Sequence, residues 1–345
     1  MAFLRNTWYV AGWGETLTSD PVRIRILGEG VALYRLPDGQ AVAIGDRCPH
    51  RFASLGNGKI VGEALQCPYH GLQFDRTGQC VYNPHGNGAI PPGARVKNYP
   101  LVERHHALWI WMGDNTNADP NLIPDFTAFD GSSIASSRGY LSVKAQYELV
   151  VDNLLDLSHA AFIHPFLTTE GFAERSRADI KQEGEAIWSY LWNDNEPLTP
   201  LFKLVWDRNE ERCDMRTHMR WTPPSNLLLD VGVTHVGSEP EAGPALPSAH
   251  LLTPETETST HYFWMIGRNR RQSDVALGEI IHNGISRAFN TEDEPMIMTV
   301  AENMQGEDFW SLRPTILPGD SAAVRARRRL AQLIRREAET KSSAA

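Results

Sequence analysis

Two short stretches, Cys48-Pro49-His50-Arg51 and Cys67-Pro68-Tyr69-His70-Gly71, constrain this chain more than anything else in it. Each offers one thiol and one imidazole, and sixteen residues separate His50 from Cys67. A zinc finger also combines two cysteines with two histidines, but it usually groups the cysteines in one knuckle and the histidines in another. One of each per loop suits a two-iron cluster, in which one iron takes both thiolates and the other both imidazoles. Replacing two anionic thiolates by neutral imidazoles makes an added electron easier to accept, so such a site passes single electrons at a raised potential. The prolines and Gly71 fit the same reading, because a loop bending around an inorganic core needs fixed φ at some positions and close backbone approach at others. Cys80 and Cys213 have no such neighbours and are expected in the core.

Around these loops, from Trp8 to about Asp114, apolar residues alternate in VRIRIL, VALYRL, QAVAIGD and LVERHHALWIWMGD, with turn signals at Pro37-Asp38-Gly39 and Arg76-Thr77-Gly78. Residues 1–115 therefore read as an all-β domain. Residues 116–138, rich in Asn, Asp and Pro, read as a linker. Residues 139–345 mix helical periodicity with long strands such as NLLLDVGVTHV, AHLLTPE and THYFWMIGRN, which predicts an α+β domain built on a twisted antiparallel sheet. Helical periodicity returns from Asp274 to about Asn303, and AAVRARRRLAQLIRREAETK reads as a basic amphipathic helix, a solvated face or a docking surface.

At 345 residues and 41% hydrophobic content the chain can build two cores. Its net charge of −9, with no long basic block ahead of the last segment, argues against nucleic acid as a partner. No run approaches the roughly eighteen apolar residues that span a bilayer. The opening MAFLRNTWYVAGWGETL is broken by Gly12 and Gly14, poor material for a secretory signal, and the expectation is a cytoplasmic protein. Gly28-x-Gly30 lacks the third glycine and following helix of a dinucleotide site.

A second constellation lies in DNLLDLSHAAFIHP, residues 152–165. At helical spacing Glu148, Asp152, Asp156 and His159 form one polar stripe opposite Leu154, Leu157 and Ala161. A solvated helix face is the bland reading. His159 and His164, however, are five residues apart, about 140° on a regular helix, too far to share one ion. Pro165 biases His164 out of the α region and frees its imidazole to turn back. A further carboxylate would complete a two-histidine, one-carboxylate face that leaves a ferrous ion open to dioxygen and substrate.

With both constellations in view, the chain resembles the oxygenase components of the Rieske non-haem iron oxygenases. Within them it is similar to the vanillate and dicamba O-demethylase (monooxygenase) group. The likeness rests on NTWYVAGW, CPHRFASL, QCPYHGLQFD, VDNLLDLSHAAFIH, TPETE and AFNTEDE and spans nearly the whole chain. It implies an N-terminal Rieske domain followed by a helix-grip catalytic domain, commonly assembled as a homotrimer. The implied cofactors are a [2Fe-2S] cluster on Cys48, His50, Cys67 and His70, and a mononuclear Fe(II) on His159, His164 and Asp293. Glu292 and Glu294 are adjacent candidates for the third ligand. Asp156 takes the place of a bridging carboxylate that accepts from His159 and from His70 of a neighbouring subunit, with Asn153 near the iron.

The implied activity is O2-dependent O-demethylation of a methoxylated aromatic acid to a phenol and formaldehyde. Electrons would come from NAD(P)H through a ferredoxin-type or flavin/iron-sulfur reductase. His250, on a predicted pocket strand, is a candidate substrate contact, and Arg268, Arg270 and Arg271 are candidate attractors of a carboxylate or a solvated loop. Gly284 stands where the dicamba enzyme's pattern has a large aromatic, which argues against that exact substrate. Two rivals stay open. A pure Rieske electron carrier would not need the His159, His164 and Asp293 set. A cis-dihydroxylating dioxygenase has a longer subunit with a small partner.

Overall fold

The computed structural model describes residues 2–206 and 211–344. The chain divides into two units, one running to Ile123 with Thr253–Glu257 added, the other holding the remainder. Within 116–138, where composition predicts a linker, the chain makes short 3-10 turns at Pro120–Leu122 and Thr127–Phe129 and, from Ala135, enters a long strand.

The first unit is all β, in three small antiparallel sheets. Its two cysteine loops are copies of one turn. In each, the cysteine carbonyl accepts from the amide four residues on (Phe52 N, 2.9 Å; Gly71 N, 3.1 Å) and the cysteine amide donates to the carbonyl five residues on (Ala53, 2.9 Å; Leu72, 2.8 Å). Closing this turn requires left-handed backbone at the fourth position, φ 75° at Gly71 and 62° at Phe52. Glycine supplies this freely, whereas Phe52 adopts it with its ring 70% exposed beneath the Arg47 guanidinium.

The second unit is built on a seven-stranded antiparallel sheet. In spatial order its strands are Ala135–Val143, Thr260–Arg268, Ser248–Pro254, Asn226–Thr234, Arg212–Thr222, Ala186–Pro197 and Ser176–Glu183. Four longer helices accompany it: α1 (Tyr147–Leu155), α2 (Val275–Arg287), α3 (Glu294–Met304) and α4 (Ser321–Ala344). α1 buries Tyr147, Val150, Val151, Leu154 and Leu155, and α2 starts where the Asp274 carboxylate accepts from Leu277 N at 2.9 Å. Between α2 and α3 the chain winds as a π-helix, Ala288–Asp293. Cys80 and Cys213 are core residues, as expected. Among the described residues no helix is long and apolar enough to cross a membrane.

The polar stripe of α1 is divided in a way that spacing did not reveal. Glu148 and Asp152 do not face a metal; they face Arg327 of α4, whose guanidinium reaches Glu148 at 2.8 Å and Asp152 through three hydrogen bonds of 2.6–2.9 Å. Phe309 caps the guanidinium, 4.3 Å from ring centroid to Cζ. The basic tail therefore docks on α1, with Ala322, Ala326 and Leu330 buried beside Arg327. Removing the cation leaves two largely buried carboxylates uncompensated, so Arg327→Met should cost about 3 kcal/mol. The check is a thermal unfolding midpoint lowered by several degrees, with earlier proteolytic release of α4. Adding Glu148→Gln and Asp152→Asn to Arg327→Met should restore much of the loss.

Candidate functional site: two metal centres

In the first unit Cys48 and Cys67 are buried while His50 and His70 lie at the rim, their ring centroids 4.4 Å apart. His70 Nδ1 is buried with no hydrogen-bond partner, an orphan that a metal would satisfy. Burial pushes the Cys48 thiol up to about 11, opposed by the His50 amide and reinforced by the neighbouring Cys67. Near neutral pH such a thiol stays protonated until a metal cation displaces the proton by binding the sulfur. The donor set, two sulfurs inside and two imidazoles outside, fits a Rieske cluster.

The second centre begins where α1 ends. The helix stops at Leu155, earlier than the unbroken stripe implied. Asp156, at φ −83° and ψ 84°, caps a 3-10 turn, Leu157–His159, by accepting from Ser158 N at 3.1 Å. After one further turn, Ala160–Ile163, the residue ahead of Pro165 leaves the helical region: His164 has φ −116° and ψ 75°. The two imidazoles thereby meet, Nε2 to Nε2 at 3.2 Å. Asp293 Oδ1 lies 3.4 Å from His159 Nε2 and 3.2 Å from His164 Nε2. A triangle with these edges has a circumradius of about 1.9 Å, just inside the ~2.0–2.2 Å reach of metal–nitrogen and metal–oxygen bonds, so the three atoms could hold one ion.

Each imidazole is turned inward by what holds its other nitrogen. His159 Nδ1 donates to the Asp156 backbone carbonyl, and His164 Nδ1 donates to Glu292 Oε2 at 2.8 Å, leaving both Nε2 atoms for the shared point. The expectation that the Asp156 carboxylate receives His159 is corrected here. Its carbonyl does so, and its carboxylate is held by Ser158 Oγ at 2.5 Å. Glu292, named with Glu294 as a rival third donor, is instead the carboxylate behind His164. Burial alone would raise Asp293, but hydrogen bonds from His159 and His164 outweigh it and hold the carboxyl well below its ordinary range. Asn153 Nδ2 adds a donor to Asp293 Oδ1 at 3.0 Å.

Asp293 owes its direction to the π turn. At a regular 100° per residue it would stand roughly 160° from Leu277, the buried residue near the start of α2. The wider winding over six residues removes roughly one residue's rotation. Asp293 then rejoins the buried line of Leu277, Ile281, Ile285 and Phe289 that continues to Ile297.

The three donors line one end of a cavity of ≈ 120 Å³. Alternate residues of the sheet form its wall, among them Leu191, Thr217, Leu229, Val231, His250 and Ile266, so the expected strands are joined by Ala186–Pro197 and Arg212–Thr222. His250 is buried, with Nδ1 2.7 Å from the Tyr262 hydroxyl. Gly284 leaves no vacancy: a Cβ there would stand 2.8 Å from Phe166 Cε1, whose ring occupies the space an aromatic side chain would need. Arg268, Arg270 and Arg271 do not line the cavity and donate to backbone carbonyls elsewhere.

Comparison with known proteins agrees with this geometry. Residues 7–100 match the Rieske [2Fe-2S] domain, and residues 143–336 match the vanillate O-demethylase oxygenase C-terminal domain. The chain belongs to the Rieske non-haem iron oxygenases. It is 38% identical to the oxygenase component of chloroacetanilide N-alkylformylase from Rhizorhabdus wittichii, over 98% of both chains. It is also 38% identical to the oxygenase component of dicamba O-demethylase from Stenotrophomonas maltophilia, over 98% of this chain and 100% of that one. A crystal structure of dicamba monooxygenase bound to 3,6-dichlorosalicylic acid superposes with a TM-score of 0.94 at 36% identity, over 98% and 99% of the two chains. Another, solved with non-haem iron and dicamba, gives 0.86.

This Rieske oxygenase component accordingly works with a [2Fe-2S] cluster and a mononuclear iron, and purified protein should contain about three irons per chain. His159→Ala should retain the cluster's visible and electron paramagnetic resonance spectra while iron falls to about two per chain. Asp293→Asn should weaken the third iron in the same direction.

Proposed function

We propose that this chain is the O-demethylating terminal oxygenase for a methoxylated aromatic compound, with Cys48, His50, Cys67 and His70 holding the cluster and His159, His164 and Asp293 holding the iron. One observation carries the reading: a cavity with an apolar wall opens directly onto the three converging donors. The names of relatives at 38% and 29% identity, dicamba and vanillate O-demethylase, support the reaction type. When bound, the cluster supplies single electrons and the iron the chemistry of dioxygen.

The chain's own residues supply position and dryness. At ≈ 120 Å³ the cavity is somewhat smaller than the roughly 150 Å³ cavity that holds benzene in another protein, so a single aromatic ring would fill it. Its sheet wall turns that ring's methoxy carbon toward the three donors, where confinement replaces an unfavourable encounter. Leu154, Leu157 and Leu167 beside the donors keep bulk water from the reacting carbon. The balance is one methoxyarene, one dioxygen, two electrons and two protons, giving a phenol, formaldehyde and water. The hydroxylated methyl is a hemiacetal, which falls apart as its hydroxyl proton leaves and the aryl oxygen gains one.

Electrons come from a separate reductase, directly or through a ferredoxin. In our reading the protein acts in the cytoplasm as a homotrimer, and Asp156 links the two centres by holding His159 through its backbone carbonyl and presenting its carboxylate to the cluster of a neighbouring copy.

A screen of methoxyarenes with a surrogate reductase tests the reaction, and the expected result is formaldehyde and phenol in equal amounts, matched by oxygen uptake. A cis-diol product would overturn it. Asp156→Asn should leave about three irons per chain yet slow electron delivery to the iron at least tenfold in single-turnover kinetics; a wild-type rate would remove Asp156 from the path.

A further inference from the structure

The first unit carries a cleft of ≈ 850 Å³ that contains no donor of either metal centre, and its rim is cationic. Arg23, Arg25, Arg47, Arg95 and Lys97 line it against two carboxylates, Glu29 and Asp46, a local surplus of positive charge in a chain of net charge −9. Strand geometry gathers these side chains. Arg23 and Arg25 share one face of the strand Val22–Ile26, and Arg95 and Lys97 stand two apart on the segment that enters Asn98–Tyr99. The Gly45 amide donates to the Lys97 carbonyl at 2.7 Å, which lays that segment beside residues 45–47 and so beside the start of the Cys48 loop.

Both acids are already engaged. Asp46, buried, accepts from Ser54 Oγ and Gly56 N at 2.7–2.8 Å and meets Arg23 at 3.0 Å. Glu29 is shared by Arg5, by Lys97 at 3.2 Å and by the Tyr99 hydroxyl at 2.8 Å. Among the described residues Arg47 and Arg95 have no carboxylate partner, and both are exposed. The Arg47 guanidinium lies instead over the exposed Phe52 ring, which also lines the cleft. Open arginines around a protruding aromatic ring are the composition of a protein contact, whereas a site for a small anion would bury its cations.

The cleft is also on a different side from the imidazoles. His50 and His70 line a separate hollow with Asn83 and His85, and of the residues that line the two only Pro49 is common to both. In our reading the imidazole side belongs to Asp156 of a neighbouring copy, which leaves the cationic side for a donor.

We propose that the electron donor docks in this cleft through an acidic surface around its own iron–sulfur centre. This rests on the reading that Cys48, His50, Cys67 and His70 hold the cluster and that a separate protein reduces it. Arg47 and Pro49 flank Cys48 in the chain, so a partner touching them is one residue from a cluster ligand. Opposite charge speeds such an encounter and makes it sensitive to salt.

The probe is an acidic plant-type [2Fe-2S] ferredoxin, whose potential lies below that of a Rieske centre. Reduced in advance and mixed anaerobically with oxidised holoenzyme, it gives a second-order rate from the bleaching of the Rieske absorbance. For wild-type protein this rate should fall at least tenfold between 20 mM and 500 mM NaCl. Arg25→Glu with Arg95→Glu should lower it at least tenfold at 20 mM and hold its salt dependence within about threefold. Arg328→Glu with Arg336→Glu, the same change of charge on the exposed face of α4, should stay within about twofold of wild type. Each variant should keep the wild-type electron paramagnetic resonance spectrum and reduction potential, so that a slower rate reports docking. If the double reversal costs the protein its cluster, Arg25→Gln with Arg95→Gln gives the same reading as a fall of about threefold. The proposal is overturned if the wild-type rate ignores salt, if the cleft variants react as fast as wild type, if the α4 variant loses as much as they do, or if the ferredoxin leaves the wild-type cluster oxidised. Wild-type protein without a Rieske spectrum sinks the cluster assignment itself, whereas a normal spectrum with unchanged transfer in the cleft variants sinks the docking proposal alone.

Discussion

On an unbroken helix His159 and His164 would stand about 140° apart, yet both must present Nε2 to a single point. The chain meets this requirement by ceasing to be a helix at Asp156 and again at His164. Each break does a second task. The carbonyl exposed at Asp156 accepts a hydrogen bond from His159 Nδ1, and the non-helical backbone at His164 lets its ring reach both Asp293 and Glu292. The same strategy appears on the other side of the centre, where a π turn rather than a loop aims Asp293 inward. Three local departures from regular helix, each near a metal donor, build the site.

How much of this was legible in the sequence depends on the range of the interaction. The paired cysteine loops could be read directly, because their ligands lie within four residues of one another and share one turn. The break before Pro165 was legible for the same reason: proline acts on its immediate neighbour. What escaped was long-range. Nothing within α1 announces that Glu148 and Asp152 are neutralised by Arg327, 175 residues beyond Asp152. The π turn has no reliable signature, so resemblance alone ranks Asp293 ahead of Glu292 and Glu294. The identity of the group behind each imidazole also required coordinates. Gly284 is the instructive case: its departure from the dicamba enzyme's pattern could be read, but that Phe166, adjacent to Pro165, stands against it could not.

The sheet makes specificity separable from metal binding. Donors come from the α1 exit and the π turn, while the opposite wall comes from strands whose inward positions can change without touching a ligand. Relatives at 38% identity whose names point to different substrates, a chloroacetanilide and dicamba, accord with such a division. His250, on this wall, is tied by a hydrogen bond to the buried Tyr262 on the neighbouring strand.

The Arg327 clasp bears on how the catalytic domain comes into being at the ribosome. Translation delivers α1, with its two acids, long before the guanidinium that neutralises them, and in the interval that helix has every reason to stay hydrated and loosely seated. Consolidation of the metal-bearing segment is thereby tied to the final stage of synthesis. A nascent polypeptide stalled short of that arginine would carry all three candidate iron donors yet lack the means to lock the first of them down.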